Sequence, residues 1–235
     1  MNRKKKWFLA ATAVLVLFLF LFPYLEVFVG GSWIRWTLRN DLEVHLVPQQ
    51  YSLVPAQASK DRHFYTFQSL TFEPPFSERG EKIRNAETVL PLRWDNKELL
   101  VFESFSWADN FLESREAEEI NAVETIFGRD TLDSNYAFYS KMVMSTPADI
   151  DLFPPSVKTI TYSILTTLKS VTIPDAEKIL SFQSPSIRGY QFLLITSEEE
   201  PRIVVEIFDK NDRPYTLVFT NFSQGEADFL LNSIK

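Results

Sequence analysis

Two glutamates carry the most chemical interest in this sequence. Glu103 stands within Phe102 to Phe105 and Glu206 within Val205 to Phe208, each mid-way along a run of large apolar residues. A carboxylate turned inward from such a run leaves water, so it needs a partner or its pKa rises toward the range used in general acid–base chemistry. Strand alternation gives both a simpler destination, solvent on an uncovered sheet face, and that is the expectation for each. Glu103 and Glu206 remain the catalytic candidates if the chain is a hydrolase with a carboxylate-based site.

Other signatures count against familiar reactions. The six glycines, at positions 30, 31, 80, 128, 189 and 225, build neither a phosphate-cradling loop nor a dinucleotide fingerprint. His45 and His63 lie outside zinc-ligand spacing and read as ordinary histidines. The chain lacks a Gly-x-Ser-x-Gly elbow and a Ser-x-x-Lys motif, although a serine–lysine pair assembled from distant segments stays open. Glu113, Glu116, Glu118, Glu119 and Glu124 fit the solvated face of a helix. Asp149-Ile150-Asp151 has the form of a transferase metal motif, yet Thr146-Pro147 before it reads as a helix start. Asp209-Lys210-Asn211-Asp212 resembles part of a calcium loop but has neither its turn glycine nor its closing glutamate, so it reads as a hairpin turn. Asn221-Phe222-Ser223 matches a glycosylation acceptor by chance. With no cysteine, disulfides, thiolate nucleophiles and a lipidated N-terminal cysteine are excluded. No cofactor and no metal is expected.

The segment that places all this is N-terminal. Trp7 to Leu25 is uncharged over nineteen residues, about 28 Å as a helix, which matches a bilayer's hydrocarbon core. Arg3, Lys4, Lys5 and Lys6 precede it, which sets the N-terminus in the cytoplasm. Bulky residues end the run where a signal peptidase needs small ones, and Gly30-Gly31-Ser32 is a weak alternative cleavage site. Trp7, Leu15, Phe20, Tyr24 and Leu25 are the expected anchor residues. Trp33 and Trp36 suit either a membrane-interface belt or packing into the following domain. Beyond the anchor, 20 basic residues face 31 acidic ones, which disfavours nucleic acid as a partner.

The expected organisation is a basic tip at 1–6, an anchor at 7–25, a juxtamembrane segment and linker at 26–62, and an extracytoplasmic domain at 63–235. Within that domain the residue pattern predicts strands over 64–72, 98–105, 190–196, 202–208 and 215–220. It predicts helices over 106–127 and 135–144, after Pro154-Pro155, over 174–182, and after the capping box at Ser223. The helix after Pro155 carries Thr159, Ser163, Thr166, Thr167 and Ser170 opposite its apolar stripe, which gives a solvent-exposed face or else a possible contact face. The expected fold class is α+β, an antiparallel sheet of about five strands with helices packed on one face, preceded by one N-terminal transmembrane helix. The expected function is a single-pass cell-membrane protein whose outer domain binds another envelope protein or component. A hydrolase and a small-ligand or lipid carrier are the alternatives.

Overall fold

The computed structural model describes residues 32–41, 46–54, 63–82, 88–173, 176–194 and 201–235. In chain order these form helix α1 (32–41) and strand β1 (Gln49–Gln50), then strands β2 (Tyr65–Phe67), β3 (Leu70–Phe72), β4 (Glu81–Lys82), β5 (Val89–Trp94) and β6 (Lys97–Glu103). Next come helices α2 (Trp107–Ser114), α3 (Ala117–Phe127), α4 (Asn135–Met144), α5 (Pro147–Ile150) and α6 (Pro155–Thr172). Strands β7 (Lys178–Gln183), β8 (Ile187–Leu194), β9 (Arg202–Asp209) and β10 (Pro214–Thr220) and helix α7 (Gln224–Ser233) complete the chain.

Strand β9 is buried along nearly its whole length instead of on alternate residues. A strand buried on both sides needs a layer on each. It sits at the centre of an eight-stranded sheet of order β1-β7-β8-β9-β10-β6-β5-β4. All neighbours are antiparallel except β1, which runs parallel to β7. One face, bearing Leu99, Val101, Val205, Ile207, Leu217 and Phe219, packs against Leu230 and Leu231 of α7 and against the separate β2–β3 hairpin. The other face, bearing Ile179, Tyr190, Phe192 and Phe208, packs against Tyr139, Met142 and Val143 of α4 and Tyr162 and Leu165 of α6.

The expected fold class is therefore corrected. The main sheet has eight strands, not about five. It is mixed, and structure covers both faces instead of one. Among the described residues no helix is long and apolar enough to cross a membrane. The expected span at 7–25, with Trp7, Leu15, Phe20, Tyr24 and Leu25, lies outside the described residues.

Local differences have local causes. The predicted strand over 64–72 is a hairpin, turned at Gln68 with φ 51°. The helix expected over 106–127 is two, because Glu116 caps α3 through a reciprocal bond set with Glu119 and so starts a new helix. Residues 178–182, expected to be helical, belong to β7, where Ile179 and Phe182 are pinned by pairing with β8.

Candidate functional site

The turn between β9 and β10 begins a chain of contacts that ends at Glu206. Asp212 sits in that turn at φ 64° and accepts hydrogen bonds from the backbone N–H groups of Asn135 (2.6 Å) and Tyr136 (3.2 Å). These are orphan donors at the start of α4, so the carboxylate caps the helix and favours its dipole. Arg188 on β8 pairs with the same carboxylate at 3.1 Å and lies over the Tyr136 ring. Asn135 Oδ1 then accepts from the backbone N–H of Ala108 at 3.0 Å, which fixes the start of α2. Trp107, the first residue of α2, is held between Phe105 and Tyr139. Its indole N–H donates to Glu206 Oε1 at 3.0 Å.

Glu206 is 5% exposed. Its Oε2 accepts from the Thr216 hydroxyl at 2.6 Å, a contact set by the register, which places residue 216 directly across from residue 206. Burial pushes the Glu206 carboxyl up to about 7, against the opposing pull of hydrogen bonds from Ser104, Thr216 and Trp107. Burial also raises the Tyr139 hydroxyl, with the Glu206 charge adding to it. At Gly189 on β8 a Cβ would run into the backbone carbonyl of Glu206, so only glycine lets β8 approach β9 here.

Above Glu206 opens a cleft of about 610 Å³, whose walls include Phe102, Phe105, Trp107, Tyr139 and Phe192 and whose mouth is edged by Val171 at the end of α6. The size suits a small molecule or one side chain of a partner. An apolar wall with one buried carboxylate at its floor can hold an aromatic or aliphatic body and accept one hydrogen bond from it. Below pH 7 the protonated carboxyl can itself donate. Among the described residues no three histidine, aspartate or glutamate side chains converge as metal ligands do.

The two candidate glutamates part company. Glu206 is buried, contrary to the expectation of a solvent-facing carboxylate, because α2 and α4 cover the face that was expected to be open. Glu103 is exposed and lies at the edge of the same cleft. The register pairs Phe102 with Thr216 and Glu103 with Tyr215, so Glu103 alternates to the sheet face opposite Glu206.

The hydroxyl face of α6 divides in a similar way. Thr159 accepts from Arg35 at 3.5 Å and Thr166 donates to the Leu38 carbonyl at 3.4 Å, so part of it seats helix α1. Ser163, Thr167 and Ser170 are exposed, and the hydroxyls of Thr167 and Ser170 donate to carbonyls of their own helix.

Sequence reasoning missed Trp107, Thr216 and two further buried charges. Thr216 was accessible from the hairpin turn, which fixes the register. Trp107 was not, since it meets Glu206 across 99 residues of chain. Lys169 on α6 is buried and donates to the carbonyls of Val143 (3.1 Å) and Ser145 (2.7 Å), closing the C-terminal end of α4. Burial lowers its amine to about 8. Asp228 on α7 is fully buried. No family model matches this chain, and no curated protein matches it either.

Proposed function

We propose that this chain is a membrane-tethered, non-enzymatic binding module, in which the cleft over Glu206 receives an apolar group carrying one nitrogen or hydroxyl donor from an envelope protein or component. The observation that supports this best is the Glu206 carboxyl, buried beneath the Trp107 indole at the floor of an aromatic cleft, where burial raises its pKa. The tether is supported by the uncharged run 7–25 behind four basic residues, with the domain on the side of the membrane away from that basic tip.

The hydrolase reading has less support. Two-carboxylate chemistry needs both acids facing one bond, and Glu103 alternates away from Glu206. Among the described residues the hydrogen-bond partners of Glu206 are Trp107, Thr216 and Ser104, so the carboxyl is not part of an acid–base pair or triad of side chains.

Tryptophan-selective ¹⁵N labelling of the full chain in detergent tests the cleft, because the sequence has five indole N–H groups and Trp107 bonds Glu206 directly. Titration with benzylamine, an aromatic ring bearing one amine, is expected to shift the Trp107 signal saturably. The Glu206→Gln variant should bind at least about tenfold more weakly, the loss of one charge-assisted hydrogen bond. A Trp107 signal unmoved by benzylamine, or moved equally in both proteins, contradicts the proposal.

A further inference from the structure

Resting on the membrane tether proposed above, we infer that the outer face of α1 together with Leu152 is a lipid-contact surface that holds the domain against the bilayer in a fixed orientation. Helix α1 has two opposed faces. Arg35, Leu38 and Arg39 point toward the domain: Arg39 Nε bonds Asp151 at 3.1 Å, Arg35 bonds Thr159, and Leu38 packs against the core on the helix side of the sheet. Trp33 and Trp36, three residues apart and therefore on one face, point away and are 64% and 61% exposed. Leu152, next to the Asp151 that anchors Arg39, is 90% exposed. Two indole rings on one face of α1 thus stand in water, and Leu152 is exposed beside the residue that anchors the helix's inner face.

Chain connectivity selects the occupant. Seven peptide steps separate Leu25, the end of the apolar run, from the first residue of α1, so α1 cannot lie farther than about 25 Å from the bilayer when the run is embedded. Indole rings suit that zone, because an apolar body sits among the lipid carbonyls while the N–H finds water. Arg35 and Arg39 are engaged by Thr159 and Asp151, and the part beyond the anchor has an acid excess. The contact therefore rests mainly on apolar insertion of the two indole rings. Since α1 is bonded to α5 and α6, insertion of its outer face also sets how the domain and its cleft stand over the membrane.

The chain has no cysteine, so a single introduced one gives a unique label position. The full chain carrying Leu152→Cys, or Gly225→Cys on α7 across the sheet, where a side chain meets nothing within 4 Å, is labelled with a nitroxide in phosphatidylcholine nanodiscs. The label at position 152 is expected to collide preferentially with oxygen, as in lipid, and the label at 225 with an aqueous nickel chelate. Adding Trp33→Ser and Trp36→Ser should abolish the lipid preference at 152 while the chain still floats with phosphatidylcholine vesicles after an alkaline wash. Equal aqueous exposure at 152 and 225 in a chain that survives the wash overturns this surface and leaves the tether standing. Release of the chain by the wash overturns the tether and this surface with it.

Discussion

Asp228 and Glu206 are both carboxylates removed from water, on opposite sides of one sheet, and they differ in how their oxygens are used. Asp228 Oδ2 accepts from the Tyr51 hydroxyl (2.5 Å) and the Val54 backbone N–H (3.1 Å), and Oδ1 accepts from Gln191 (3.2 Å) and Gln224 (2.9 Å). Burial, reinforced by the bond to Asp228, pushes the Tyr51 hydroxyl up to about 12, so it stays a donor at any physiological pH. This set of bonds ties residues 51–54, strand β8 and α7 together. Glu206 draws on fewer donors, and burial outweighs them. A buried carboxylate surrounded by donors acts as a clamp, while one short of donors beside a cleft is set to change its protonation state near neutral pH.

The largest expected effect comes from breaking the clamp. Asp228→Ala takes the shared acceptor from two amides, a hydroxyl and a backbone N–H, and should cost about 3–5 kcal/mol in chemical denaturation of the full chain. Replacing Glu206 should do the reverse. Its folded pKa of about 7 lies above the ordinary 4.5, so the folded state binds the extra proton between those values and stability falls as pH rises from 4.5 to 7. Glu206→Gln should remove that fall, opening a difference from wild type of up to about 3 kcal/mol by pH 8, at about 1.4 kcal/mol per pKa unit. Equal pH profiles for the two proteins would break the comparison.

Lys169 sharpens it from the basic side. Its folded pKa of about 8 lies below the ordinary 10.5, so the unfolded chain binds the extra proton between those values and stability rises with pH there. The rise should reach about 2 kcal/mol between pH 8 and 9.5, before tyrosine ionisation in the unfolded chain opposes it, and Lys169→Met should flatten it in pH-dependent melts. At the small end, Arg93→Ala removes a half-exposed ion pair with Glu98 across β5 and β6 and should change stability by less than about 1 kcal/mol.

The parts of the fold legible in the sequence are those fixed by short-range chemistry. The β8–β9–β10 meander follows from apolar runs and short connections. The helices α4, α6 and α7 follow from Ser134, the prolines at 154–155 and the Ser223–Glu226 capping box. The errors arose where long-range pairing overrode local pattern. β7 owes its conformation to β8, and the turn at Gln68-Ser69 has no glycine or asparagine to announce it. Glu206 was recognisable as an unusual residue in an apolar strand, but its burial depends on α2 and α4, whose placement comes from the Asp212 and Asn135 bonds. The near-continuous apolar character of β9 was the available sign that both of its faces would be covered.

The central claim is that Glu206 changes protonation state near neutral pH under the indole of Trp107. Following the ¹⁵N-labelled Trp107 indole signal, assigned with Trp107→Phe, from pH 5 to 9 measures this directly. The predicted result is one titration with its midpoint near 7 that disappears in Glu206→Gln. A flat Trp107 signal across that range, or a titration that persists in Glu206→Gln, would contradict the account.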